Sequence, residues 1–243
     1  MWRIPKWKLS NFRRELVLFV AYPFFAIVMV FLWICPFSIR KKLNTIAGKI
    51  YYKYGHKARA TALDNIAKAY KDLSPTEIED MAKAVFNNVA SAFLDFFSFV
   101  YVNNKKHYFK YIEVEGEENL RRAYDKGKGV ICLIPHISSW ELSAVTPPML
   151  GYPTVAASKP IKGFLVQKTM VWFRRRRGMV NFDRDGSYKK LVSSLKEGKC
   201  RILMIDQDTS VKSCFVDFFG RKTFTPLGAS RLALDTDAAI VPM

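Results

Sequence analysis

From Leu16 to Cys35 twenty consecutive positions carry no charge, LVLFVAYPFFAIVMVFLWIC. At about 1.5 Å rise per residue such a run covers roughly the 30 Å hydrocarbon core of a bilayer, so it predicts a membrane helix. A cleaved signal peptide is the alternative, but the run is long for an h-region and no A-x-A site follows it. Pro23 leaves a re-entrant or steeply tilted arrangement open beside a clean span. Residues 39 to 72 read as basic amphipathic helix. Ser74-Pro75-Thr76-Glu77 is then a capping box with proline at the first helical position. Behind it Ile78, Met81, Ala82, Val85, Phe86, Val89, Ala90, Phe93, Leu94 and Phe97 recur at helical spacing. That stripe reads as core packing; the alternative is that its aromatic end, Phe93 to Tyr101, lines an apolar groove or sits at a membrane interface.

From Tyr111 onward short apolar runs alternate with amphipathic stretches. The expected strands are Tyr111 to Val114, Gly129 to Ile134, Thr154 to Ala157, Met179 to Phe182, Arg201 to Ile205, Cys214 to Phe218 and Ala239 to Val241. The expected helices are Glu117 to Lys126, Ser138 to Leu150, Gly163 to Arg177, Ser187 to Glu197 and Leu227 to Leu234. The fold class is therefore α/β, a mixed sheet flanked by helices. Three regions follow: an anchor with basic flanks over 1–38, a helical region over 39–108 and the α/β domain over 109–243.

Charge changes the picture at the N-terminus. The net charge is +18, and residues 1–59 hold 12 basic side chains against the single acid Glu15. Most of the surplus flanks the apolar run, as in segments that touch anionic headgroups. Nucleic-acid binding would also explain basicity, but no zinc-finger spacing or RNP motif is present. The basic residues after the run favour a cytoplasmic face for the remainder of the chain. None of the four cysteines is in a C-x-x-C or paired spacing, which argues against a disulfide framework or a zinc site.

The strongest candidate chemistry lies in GVICLIPHISSWELS, where His136 follows an apolar run and Glu141 comes five positions later at a helix start. A histidine can take a proton from a hydroxyl, and a carboxylate within reach can fix its tautomer. Ser138 and Glu141 also match a capping box, a purely structural role for the glutamate. The two readings are compatible, because a carboxylate folded over the helix start lies close to His136. His56 and His107 sit in basic, polar surroundings and read as surface groups. Ser138 and Ser139 lie outside any G-x-S-x-G pattern, so capping is their expected role. Lys168, Arg174 to Arg177 and Arg184 form the densest basic cluster; at least half of it reads as a solvated face. Asp206 and Asp208 flank Gln207 at a strand end, too few ligands for a metal site.

The dyad and its flanks resemble the lysophospholipid acyltransferase superfamily and, within it, the lipid A biosynthesis (late) acyltransferase family. The resemblance continues through VNFDRDGSYKKLVSSLKEGK, with Arg184 at its basic position, and through the block carrying Asp206, Gln207, Asp208, Phe219, Gly220, Thr225, Pro226 and Arg231. It ends in AAIVPM. It implies transfer of a fatty acyl chain from a thioester of acyl carrier protein or coenzyme A to a hydroxyl of a membrane glycolipid, such as a lipid A precursor. His136 would be the base and Glu141 its orienting partner. Arg184, Asp206, Gln207, Asp208, Gly220, Thr225 and Arg231 would line the substrate site, with no metal and no cofactor beyond the thioester. A catalytically silent lipid-binding member of the same fold is the alternative. The implied partners are membrane lipids and the acyl donor, not nucleic acid; the implied location is the inner (cytoplasmic) membrane. Family members continue for several tens of residues past the point where this chain stops, so a fragment or short variant is expected.

Overall fold

A computed structural model describes residues 9–243 apart from 103, 162, 185 and 208–210, with side chains described from residue 16. The basic side chains expected before the apolar run, and Asp208, lie outside the described residues. The helical half comprises α1 (Leu9–Ile34), α2 (Phe37–Tyr54), α3 (His56–Ala69), α4 (Pro75–Phe99) and the short α5 (Lys105–Tyr108). There follow α6 (Glu117–Tyr124), β1 (Val130–Leu133), α7 (Trp140–Leu150), β2 (Thr154–Ser158), α8 (Phe164–Arg176) and β3 (Met179–Asp183). The chain closes with α9 (Tyr188–Lys196), β4 (Cys200–Leu203), β5 (Ser213–Phe218), β6 (Arg221–Pro226), α10 (Gly228–Thr236) and β7 (Ala239–Pro242).

Five strands form one sheet in the order β3-β2-β4-β1-β7, and every pair in it is parallel. Parallel strands need both faces covered, which is why β1 reads as an unbroken apolar run and β4 is apolar apart from Arg201. On one face Val130, Cys132, Ala156, Met179 and Ile202 meet Phe96 and Phe99 of α4, Val100 just past its end, Val145 of α7 and Phe173 of α8. On the other, Ile131 packs with Leu191 and Leu195 of α9 and Leu232 of α10. Along α4 the expected stripe is core in part: Ala82, Phe86 and Ala90 are buried, Val85 and Phe93 are exposed, and Phe96 and Phe99, outside the stripe, are buried as well. Its capping box forms as the sequence predicts, Ser74 donating its backbone N–H to Glu77 Oε2 at 2.8 Å.

Four local expectations are corrected. The helix expected over 39–72 is two helices broken at Gly55, whose N–H bonds Tyr51 O and where a Cβ would lie 2.6 Å from that oxygen. Tyr111 to Val114 forms no strand; Tyr111 and Ile112 instead donate their N–H groups to Tyr108 O. The antiparallel pair is a separate hairpin that includes the unexpected strand β6, and Phe219 and Gly220 both take positive φ in its two-residue turn. Finally, α7 begins at Trp140 and no capping box forms there. Ser138 sits at φ 47 with its N–H given to Asn88 Oδ1 of α4 at 2.8 Å, so it is not oriented to cap the helix.

Candidate active site

All the parallel strands end on one edge of the sheet, the edge where open α/β sheets bind ligands. The residues following β1, β4 and β3 bring His136, Asp206 and Arg184 there. His136 and Asp206 meet: Nδ1 lies 2.7 Å from Asp206 Oδ1, and the His136 backbone N–H donates to Asp206 Oδ2 at 2.5 Å. One carboxylate therefore holds both the ring and the main chain. It fixes the proton on Nδ1 and leaves Nε2 as the acceptor nitrogen. Both side chains are about one third exposed, 29% and 33%, so a substrate can reach them.

Glu141 has a different partner. Its carboxylate takes a two-pronged bond from Arg174, Nε to Oε2 at 3.0 Å and Nη2 to Oε1 at 2.7 Å, with both side chains only 11–12% exposed. Arg174 Nη1 also donates to Ser158 Oγ and Asn181 Oδ1. The guanidinium thus ties the first turn of α7 to β2 and β3. The expectation that Glu141 orients His136 is not what the geometry displays; the sequence distance is short, but α8 supplies a cation that competes for the carboxylate and wins it.

Two residues of α4 that sequence reading passed over stake the loop between His136 and α7. Asn88 accepts from Ser138 N, and Asp95 accepts from Ser139 Oγ at 2.7 Å. They are seven residues apart, hence on one helix face, and this is the signal that was available: two polar residues in register beside an apolar stripe. Burial pushes the Asp95 carboxyl above its ordinary range, opposed by the Ser139 hydroxyl and by Arg40. Trp140 stands between His136 and Phe93, with ring centroids 6.0 and 5.8 Å away. Phe93 and Ile137 are exposed beside it, giving the histidine an apolar approach.

The remaining expected site residues are held locally. Arg184 is half-buried just past β3, with its N–H on Ser158 O. Gln207 is exposed next to Asp206, while Gly220 occupies the hairpin turn and Thr225 lies in β6 opposite Cys214. Arg231, on the exposed side of α10, is 3.9 Å from Asp235. Of the basic cluster, Lys168, Arg175 and Arg176 are exposed and Arg177 is buried. His56 and His107 are exposed, as expected of surface groups.

This edge geometry belongs to a sequence that matches the bacterial lipid A biosynthesis acyltransferase pattern over residues 9–243. The chain belongs to that family. It is 28% identical over 224 residues to a lipid A biosynthesis acyltransferase of Haemophilus influenzae, covering 90% of this chain and 68% of that protein. A lipid A biosynthesis palmitoleoyltransferase of Escherichia coli is 25% identical over 80% of this chain and 63% of its own length. A phosphatidylinositol mannoside acyltransferase of Mycolicibacterium smegmatis is 26% identical over 54% and 45% respectively. The chain thus spans about two thirds or less of these relatives' lengths. Within this acyltransferase family, the matched segment contains the His136–Asp206 pair and the Glu141–Arg174 brace.

Proposed function

We propose that the protein transfers a fatty acyl chain from an acyl thioester, of acyl carrier protein or coenzyme A, to a hydroxyl of a membrane glycolipid such as a lipid A precursor. The observation that carries the reading is His136 held at ring and backbone by Asp206 at the sheet edge. In the proposed step His136 Nε2 accepts the proton of the acceptor hydroxyl as its oxygen attacks the thioester carbonyl. The tetrahedral intermediate then collapses, the C–S bond breaks, and the imidazolium returns its proton to the departing thiolate. Asp206 balances the transient positive charge on the ring, the role of the acid in a serine-hydrolase triad. Glu141 acts at one remove, by keeping α7 and its preceding loop in place through Arg174.

Arg184, Gln207, Asp208, Gly220, Thr225 and Arg231 are proposed to bind substrate, with Arg184 as the phosphate ligand. Arg184→Ala should then raise KM for an anionic substrate more than Arg175→Ala does, and equal effects would remove that ranking. The protein is proposed to work at the inner membrane, its catalytic edge on the cytoplasmic side, where anionic headgroups would meet the basic residues after α1. The test is to incubate membranes holding the protein with acyl carrier protein and coenzyme A thioesters of several chain lengths and to analyse the lipids by mass spectrometry. A new acylated glycolipid that disappears with His136→Ala supports the proposal. Lipid binding with no acylated product from any donor would replace the enzyme by a silent binder.

A further inference from the structure

The apolar helix α1 does not stand away from the rest of the protein. Along its length Tyr22, Ala26, Met29 and Leu32 recur at helical spacing on one face, and Met29 and Leu32 are buried. That face rests on α8 and α4. Leu18 lies against Gly163 at the start of α8, the Tyr22 hydroxyl is 2.8 Å from Thr169 Oγ1, and Trp33 packs on Tyr101. The opposite face, including Val17, Val20, Phe24, Ile27 and Phe31, is exposed and wholly apolar.

Two charged side chains, Lys168 and Arg175, lie next to this contact. Between α1 and α8 lies a cavity of about 610 Å³ whose lining includes Tyr22, Met29, Trp172, Lys168 and Arg175. If Leu16–Ile34 crossed a bilayer, Tyr22 would sit near its middle, and the paired Thr169 with Lys168 and Arg175 beside it would lie in hydrocarbon. Lysine and arginine are expensive there. The next helix points the same way. On α2 the exposed Ile39, Ile46, Ile50 and Tyr54 form a stripe edged by Lys42 and Lys49, the pattern of a helix lying on an anionic lipid surface.

We infer that α1 lies lengthwise in one leaflet of an anionic bilayer, its inner face on α4 and α8 and its outer face among acyl chains, with Lys168 and Arg175 at headgroup level. The protein would then sit in one face of the membrane without crossing it, and both ends of α1 would remain on the same side. This placement does not depend on acyl transfer.

The test uses the full chain with the exposed Cys214 replaced by serine and one cysteine introduced at Val17, Phe24 or Phe31, three exposed positions seven residues apart. Each variant is labelled with a fluorophore in phosphatidylethanolamine/phosphatidylglycerol vesicles and quenched by nitroxide lipids of known depth. Equal, shallow depths at the three positions are expected. A crossing helix would place the label at Phe24 deeper than the other two by about 10 Å, from seven residues at 1.5 Å rise, and that result would overturn the inference. So would labels unquenched at every depth. As a second readout, a reporter fused to the N-terminus should be found on the same side of the cell membrane as the α/β domain; opposite sides would refute the arrangement.

Discussion

At the residue scale, the site gives different partners to two carboxylates, Glu141, expected beside His136, and Asp206, expected in the substrate site. Asp206 touches the proposed base, whereas Glu141 is committed to Arg174. Asp206→Asn should lower kcat by about 10²–10⁴-fold while leaving the melting temperature nearly unchanged, because the acid is partly exposed and its main loss is the charge opposite the imidazolium. Glu141→Gln should do the reverse. Losing the charged fork in a nearly dry setting costs about 1.5–3 kcal/mol of stability, and activity should recover at lower temperature where the protein is folded. Thermal melts and initial rates on both variants check this; a folded Glu141→Gln protein without turnover would return the glutamate to the chemistry. Asp95 gives a pH-dependent case. Its folded pKa is raised by burial, so the native state favours the protonated acid. The stability this contributes is present below the unfolded pKa and is lost as pH rises through the folded one. Asp95→Asn keeps an acceptor for Ser139 without the buried charge. It should therefore melt higher than the parent at neutral pH, with the difference shrinking as pH falls toward the unfolded carboxylate pKa of about 3.9.

At the scale of elements, two buried arginines do opposite things. Arg177, at the end of α8, donates to the carbonyls of Phe99, Val100 and Val102 past the last turn of α4, and its guanidinium lies 3.8 Å over the Phe173 ring. Burial brings its pKa down to about 10, but several acceptors offset the desolvation and lock the two helices together. Arg201, in the middle of β4, is 1% exposed and its hydrogen bond among the described residues runs from Nη1 to Val155 O at 3.2 Å. Its pKa falls to about 9 through burial alone. Arg177→Met should destabilise by about 1–3 kcal/mol for each helix-end carbonyl left dry. Arg201→Met should be neutral or more stable by up to about 1–4 kcal/mol, as for other buried charges exchanged for apolar side chains. Chemical denaturation of both variants tests the contrast; a large loss at Arg201 would mean that its charge is compensated after all.

For the molecule as a whole, the apolar outer face of α1 and the stripe on α2 dictate the behaviour in extraction. Surface charge alone would be screened by salt. A helix face of this area should instead keep the protein with the membrane fraction through high salt and alkaline carbonate, and release should need detergent. Finding the full chain in the carbonate supernatant would contradict this. The Tyr22–Thr169 contact also means that the apolar helix is part of the folded body, so shortening it should disturb α8 and, through Arg174, the loop carrying His136.

What the sequence determined is what depends on local period and local chemistry. The 3.6-residue stripe and the capping box fixed α4, the short apolar runs fixed β1 to β5 and β7, and the uncharged run fixed α1 as a helix suited to lipid. The strand end carrying His136 was legible for the same reason. What tertiary structure decided is which distant groups share a carboxylate. Asp206 is 70 positions from His136 and Arg174 is 33 from Glu141, and sequence spacing carries no information on that choice. Strand order does: parallel pairing sets β4 beside β1 and brings Asp206 to the histidine, while the packing of α8 delivers Arg174 to Glu141 first. The same holds for the loop stakes Asn88 and Asp95, whose polarity looked incidental until α4 was laid across the sheet edge.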